Sequence, residues 1–243
     1  MMAGESGFRF RPGLTPTLFL LTVVPVLIGL GLWQLQRADW KAELVARIEA
    51  QLDAPPQPVS TIDDLPREEF LRVRLEGRFG GEAMFLGGRT LGGRAGWHVV
   101  TPFELTDGGW VIVDRGWIPM TARSHAVPLG GEGPIEGVVR LPPEAGTFTP
   151  EDDPGAGEWY RIDPMAMASA SGIEKARVAP VYVAASGSTS GNEGDGKPIP
   201  TGDRFVLPQN HFQYAMTWFG LAATLAAVYL VYGFRRPGST GHR

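Results

Sequence analysis

Two short clusters hold the side chains best suited to ligand chemistry. One is Trp33-Gln34-Leu35-Gln36-Arg37-Ala38-Asp39-Trp40-Lys41, and the other is Pro208-Gln209-Asn210-His211-Phe212-Gln213-Tyr214-Ala215-Met216-Thr217-Trp218. Trp33, Arg37 and Trp40 recur at i, i+4 and i+7, while His211, Tyr214 and Trp218 recur at i, i+3 and i+7. At 3.6 residues per turn each set shares one face of a helix. An imidazole can ligate a metal, a guanidinium or ammonium can pair with carboxylates, and indole rings can stack on a flat apolar body.

Both clusters adjoin long apolar runs. Residues 13–36 contain no charged side chain, and between residues 205 and 234 the only ionisable groups are His211 and tyrosines. A bilayer core of ~30 Å needs about 20 apolar residues, so each run is long enough to span. Antiparallel spans would bring Arg37 and His211 to the same interface. Trp33 would then lie ~6 Å deeper than Arg37, and Trp218 ~10 Å deeper than His211, at 1.5 Å per residue. The two faces are expected to line one amphipathic crevice, suited to a flat apolar ligand with anionic groups at one edge. A haem has that character. His211 would ligate the iron, Arg37 and Lys41 would pair with propionates, and Trp218 or Trp33 would pack on the macrocycle. The same residues also have a plainer reading. Trp and Tyr gather at membrane interfaces, and long basic side chains snorkel there.

Charge sets the expected orientation. The tails, residues 1–12 and 235–243, carry a net charge of +4, against −8 for the remainder. That asymmetry places both tails in the cytoplasm and exports the connection between the spans. The acidity of the exported part argues against a nucleic-acid partner. The first apolar run is too long for a signal h-region, and Trp33-Gln34-Leu35-Gln36-Arg37 is unlike an A-x-A cleavage site. Cysteine is absent, which excludes disulfides and thiolate metal centres. No long basic presequence precedes the first span, which favours a bacterial inner membrane over a mitochondrial one.

The exported part reads as β-rich. Leu71, Val73 and Leu75 alternate with Arg72, Arg74 and Glu76, the period of a half-buried strand. Strands are expected at 84–86, 97–103, 135–141 and 178–184. Thr106-Asp107-Gly108-Gly109 is expected to turn a hairpin between 101–105 and 110–118. One short helix follows from Asp163 as N-cap, Pro164 in the first turn and Gly172 past the end. Before the sheet, the first helix is expected to run beyond the membrane until Pro55-Pro56, and residues 186–196 read as a flexible Gly/Ser loop. The expected architecture is membrane α+β: two transmembrane helices flanking an exported antiparallel sheet or partly closed barrel. Its divisions are a tail at 1–13, spans at 14–36 and 209–234, a domain at 37–208 and a tail at 235–243.

No P-loop, G-x-G-x-x-G or G-x-S-x-G motif occurs, so no enzyme is indicated. His98 reads as a satisfied structural histidine in a strand, His125 as solvated in a loop, and Met165 and Met167 as packing. Arg115-Gly116-Trp117 reads as a tight corner with Trp117 as its anchor, or alternatively as a docking face for a partner protein.

Four stretches, in order, resemble the surfeit locus protein 1 family. They are Gly31-Leu32-Trp33-Gln34-Leu35-Gln36-Arg37-Ala38-Asp39-Trp40-Lys41; Gly88-Arg89 through Gly96-Trp97-His98-Val99-Val100-Thr101-Pro102-Phe103; Val113-Asp114-Arg115-Gly116-Trp117-Ile118-Pro119; and Pro208-Gln209-Asn210-His211-Phe212-Gln213-Tyr214-Ala215-Met216-Thr217-Trp218-Phe219. Asp114 and Gln209 stand where the family pattern has Asn. The resemblance implies a two-span assembly factor for haem-copper cytochrome c oxidase that helps insert haem a into subunit I, with haem A synthase as a further partner. It implies His211 as axial ligand and Trp218 as an influence on binding. A haem-independent scaffold joining the synthase to subunit I, and a copper-delivery protein, are the competing readings. The second is weakened by the lack of cysteine and of clustered His and Met.

Overall fold

The first helix, α1 (Leu14–Asp53), runs 40 residues without a break, with Pro25 inside it. At ~1.5 Å per residue it is about 60 Å long, twice a hydrocarbon core, so its charged second half extends well past any bilayer its apolar half could span. It ends just ahead of Pro55-Pro56, because a proline disfavours helical backbone in the residue before it. The computed structural model describes residues 13–125, 133–144, 146–147, 149–187, 197–203 and 211–234. The expected cytoplasmic tails, most of the Gly/Ser loop and Pro208-Gln209-Asn210 lie outside the described residues.

The chain then forms β1 (Gln57–Val59), β2 (Arg72–Leu75), β3 (Gly77–Phe79), β4 (Met84–Leu91), β5 (Arg94–Leu105), β6 (Trp110–Pro119) and β7 (Ile135–Arg140). The two-residue β8 (Glu158–Trp159), a short helix α2 (Pro164–Ala170) and β9 (Val178–Ala185) complete the sheet, and α3 (His211–Gly233) follows. Three 3-10 turns, Met120–His125, Pro154–Ala156 and Lys175–Arg177, punctuate the loops. Two compact units result: Met1–Ala46 with Leu207–Arg243, and Arg47–Val206.

The expected strands are present, and β4 and β5 extend further as a hairpin through Gly92 and Gly93. Strand order is β1-β2-β7-β9-β6-β5-β4-β8, with β3 paired to β5. Only Glu76 separates β2 from β3, yet β2 pairs with β7 and β3 with β5. One bent strand therefore joins both ends of the path β7-β9-β6-β5 and closes a small barrel. At the bend, a Cβ on Gly77 would collide with the Glu104 carbonyl, so only glycine permits so close an approach. Val73, Leu75, Phe103, Val111, Val113, Val139 and Val183 fill the barrel, all fully buried. A second cluster, Leu86, Val100, Ile112, Trp159, Ile162 and Met167, packs beneath α2.

The expectation of an antiparallel sheet is corrected: the sheet is mixed. β1 pairs β2, β4 pairs β8, and β6 pairs β9 in parallel. The physical reason is the long connection after β7, which passes through β8 and α2 before returning as β9 between β7 and β6. A parallel pair requires such a crossover, whereas a tight hairpin can join only antiparallel neighbours. Helix α2 itself follows the sequence signal. Asp163 Oδ1 accepts from the Ala166 amide at 3.0 Å, and Gly172 adopts φ +75° beyond the end.

Candidate functional site

Helices α1 and α3 are the two described helices long and apolar enough to cross a membrane. They lie side by side. Thr17 Oγ1 and Tyr229 Oη are 2.8 Å apart at one end of the pair, and the ring of Phe219 lies against Gly31 toward the other. A Cβ on Gly31 would fall 2.7 Å from Phe219 Cζ, too close for any real side chain. Gly31, Ala215 and Ala222 are the buried positions at this level. Small residues let helices approach closely where lipid supplies no hydrophobic drive for association.

That packing decides where the expected ligand residues stand. Trp33 and Trp40 are each 54% exposed and Tyr214 56%, and Trp33 and Trp40 follow Gly31 by two and nine residues, which puts them on the face of α1 opposite it. Arg37 is exposed and its guanidinium stacks on Trp40, 4.7 Å from the ring centroid. Trp218 is half-buried, next to Phe219. His211 opens α3, one turn ahead of the buried Ala215. The seam is therefore closed at the Gly31–Phe219 level, and Trp33 and Trp40 lie on the side of α1 away from it. The reason is residue size: the i, i+4, i+7 pattern shows which residues share a face but not which face the neighbour takes. As a donor set these residues still match haem chemistry, with an imidazole, a guanidinium and exposed aromatic rings.

Arg115, Gly116 and Trp117 sit at a bulge in the sheet. The register of β5 and β6 shifts between Val99 and Val100, leaving Arg115 as the extra residue. Gly116 has φ +118°, and a Cβ there would strike the Ile199 carbonyl. The Trp117 and Ile199 backbones exchange hydrogen bonds at 2.8 and 2.7 Å. Trp117 is fully buried, with Arg94 over its ring at 5.5 Å. A partner approaching this corner would meet Arg115 and not the indole. Arg115 lies over Phe79 at 3.8 Å, and burial lowers its pKa to about 10.

His98 is satisfied as expected: Nδ1 lies 2.7 Å from Asp114 Oδ2. Asp114 Oδ1 accepts from the Gly116 amide at 3.0 Å, so one carboxylate holds both the imidazole and the bulge. Sequence reasoning singled out both residues without pairing them, because the contact crosses strands 16 residues apart. Met167 is fully buried and Met165 packs against the same cluster. The backbone of His125 ends a 3-10 turn.

The SURF1 family model matches residues 21–223. Surfeit locus protein 1 of Mus musculus is 32% identical over 240 residues, covering 90% of this chain and 76% of its own. The Homo sapiens protein of the same name is 32% identical over 231 residues, covering 84% and 73%. A SURF1-like protein of Dictyostelium discoideum is 28% identical over 265 residues, covering 90% and 96%.

Proposed function

The chain belongs to the SURF1 family, and from that premise we propose that it is a non-enzymatic assembly factor for haem-copper cytochrome c oxidase. In this reading it binds haem a at the outer membrane interface and assists its insertion into subunit I, in contact with haem A synthase. One observation carries the reading. The family match runs from within the first apolar helix to within the second, and His211 heads the second, where an interfacial ligand would be needed.

Haem a is cargo here, and the residues proposed to hold it divide the work by chemistry. His211 supplies a ring nitrogen to the iron. Arg37, already placed on Trp40 at 4.7 Å, offers a cation to a propionate. Trp218, Trp33 and Tyr214 supply apolar surface for the macrocycle. Aromatic side chains left exposed on the helices, as Trp33 and Tyr214 are, suit a carrier that must release what it holds. We place the protein in a bacterial inner membrane, with the sheet domain in the periplasm and both termini in the cytoplasm.

The close seam at Gly31 and Phe219 favours a second reading, in which the helices form a membrane scaffold joining the synthase to subunit I without holding haem. An absorption spectrum distinguishes the two. Protein purified from membranes that also make haem A is expected to carry haem a, and His211→Ala, equally abundant and folded, is expected to lose most of it. Equal haem in both proteins removes His211 as the ligand. Haem in neither supports the scaffold.

A further inference from the structure

The sheet domain contains a polar cleft that the assembly reading does not use. It encloses about 410 Å³, within the ~300–1,000 Å³ typical of small-molecule sites, and Arg89, His98, Asp114, Arg140, Tyr182 and Thr201 line it. Sheet register brings the first five of these residues together from five strands, β4, β5, β6, β7 and β9. Arg140 is the cross-strand partner of Tyr182, and Asp114 that of Ala184. Two irregularities straddle His98: the β4–β5 register shifts between Leu86 and Arg89, and the β5–β6 register between Val99 and Val100. Bulges re-aim side chains and terminate regular pairing, and they recur beside binding sites.

Counting donors and acceptors gives the cleft its character. Both carboxylate oxygens of Asp114 are engaged, Oδ2 by His98 Nδ1 and Oδ1 by the Gly116 amide. With Nδ1 committed to Asp114, the imidazole presents its other nitrogen away from that carboxylate. Arg89 Nε is buried with no hydrogen-bond partner. Arg140 Nε approaches Glu69 Oε1 at 3.5 Å as an ion pair, yet is likewise buried without a hydrogen bond. Tyr182 and Thr201 add hydroxyls. Buried N–H groups of guanidinium ions strongly favour an acceptor. Arg140 is balanced by Glu69 and the Asp114 carboxylate is engaged, so among the described lining residues Arg89 and the Tyr182 and Thr201 hydroxyls are left as donors on different strands and loops of the cleft.

We propose that this cleft binds a phosphate-class oxyanion, either free phosphate or the terminal group of a small phosphomonoester. A tetrahedral anion has enough acceptor oxygens to meet donors arriving from several directions, whereas a carboxylate offers two in one plane.

The test uses the full-length protein in detergent and phosphate-free buffer, with calorimetric titration of inorganic phosphate and then of glycerol 1-phosphate. Saturable one-to-one binding is expected. Arg89→Gln should weaken it about tenfold or more, the scale of one charge-assisted hydrogen bond. Arg78→Gln, an exposed position outside the cleft, should leave it unchanged. Tighter binding of the ester identifies a phosphomonoester as the ligand, and equal or weaker binding identifies free phosphate. Wild-type protein gives a readout independent of any variant: phosphate should slow phenylglyoxal modification of Arg89 and Arg140 but not of Arg78. Absence of saturable binding at millimolar phosphate overturns the proposal, as does equal protection of all three arginines.

Discussion

The sheet domain and the helix pair bury opposite kinds of side chain. In the sheet, large apolar residues are inside: Trp117, Trp159, Phe103, Leu75 and Leu86 are almost wholly buried. In the helix pair the large apolar residues are outside, with Leu21 65% exposed and Val231 76%, while Gly31, Ala215 and Ala222 are inside. The inversion is the pattern expected of one region folded in water and another placed in lipid. Burial from water, at roughly 25 cal/mol per Å², drives the first. Close backbone approach and side-chain contact hold the second, because lipid tails are as apolar as leucine.

Three measurements sharpen or break this contrast. The largest effect is expected from Trp117→Ala, which should cost ~3–5 kcal/mol of sheet-domain stability by opening a cavity in a close-packed corner. Denaturant unfolding of the full chain, followed by tryptophan fluorescence, measures it. A loss below about 1 kcal/mol would place Trp117 at a surface available to partners.

Next is Gly31→Leu, which should push α1 from α3 at a cost of ~1–3 kcal/mol through overpacking. The chain has no cysteine, so cysteines placed at Thr17 and Tyr229 report the pair without background. A short bismaleimide should cross-link them efficiently, and less so with Gly31→Leu added. Unchanged cross-linking would mean that the close seam is not what holds the helices.

The smallest effect is expected from Asp163→Ala, about 1 kcal/mol from losing the cap of α2. Because α2 covers the cluster containing Met167 and Trp159, the loss should appear in the sheet domain's unfolding midpoint. Under the proposed carrier function, the haem content of the extracted protein should not change.

Much of the fold was legible because its signals are local. Alternation marked β2, the Asp107-Gly108-Gly109 turn marked the β5–β6 hairpin, and Asp163-Pro164 with Gly172 marked α2 almost to the residue. β1, β3 and β8 have no such signal: two or three residues carry no measurable period, and they exist as strands only because a neighbour's backbone lies alongside. The candidate ligand residues were legible as types and as helix faces, but not as a pocket. Which face turns inward depends on Gly31 meeting Phe219, 188 residues away in sequence. Only strand register pairs His98 with Asp114.

By itself, then, the sequence determined the two apolar helices, the position of most strands, the absence of thiol chemistry and the family motifs. All of these depend on composition and spacing within a few turns of chain. Tertiary structure alone decided that the sheet is mixed and closes on itself through Gly77, that Gly31 of one long helix meets Phe219 of the other, and that two arginines, a tyrosine and a carboxylate-bound histidine share one cleft. Those outcomes depend on contacts between distant segments, where excluded volume and strand register select one arrangement among many that the local pattern allows.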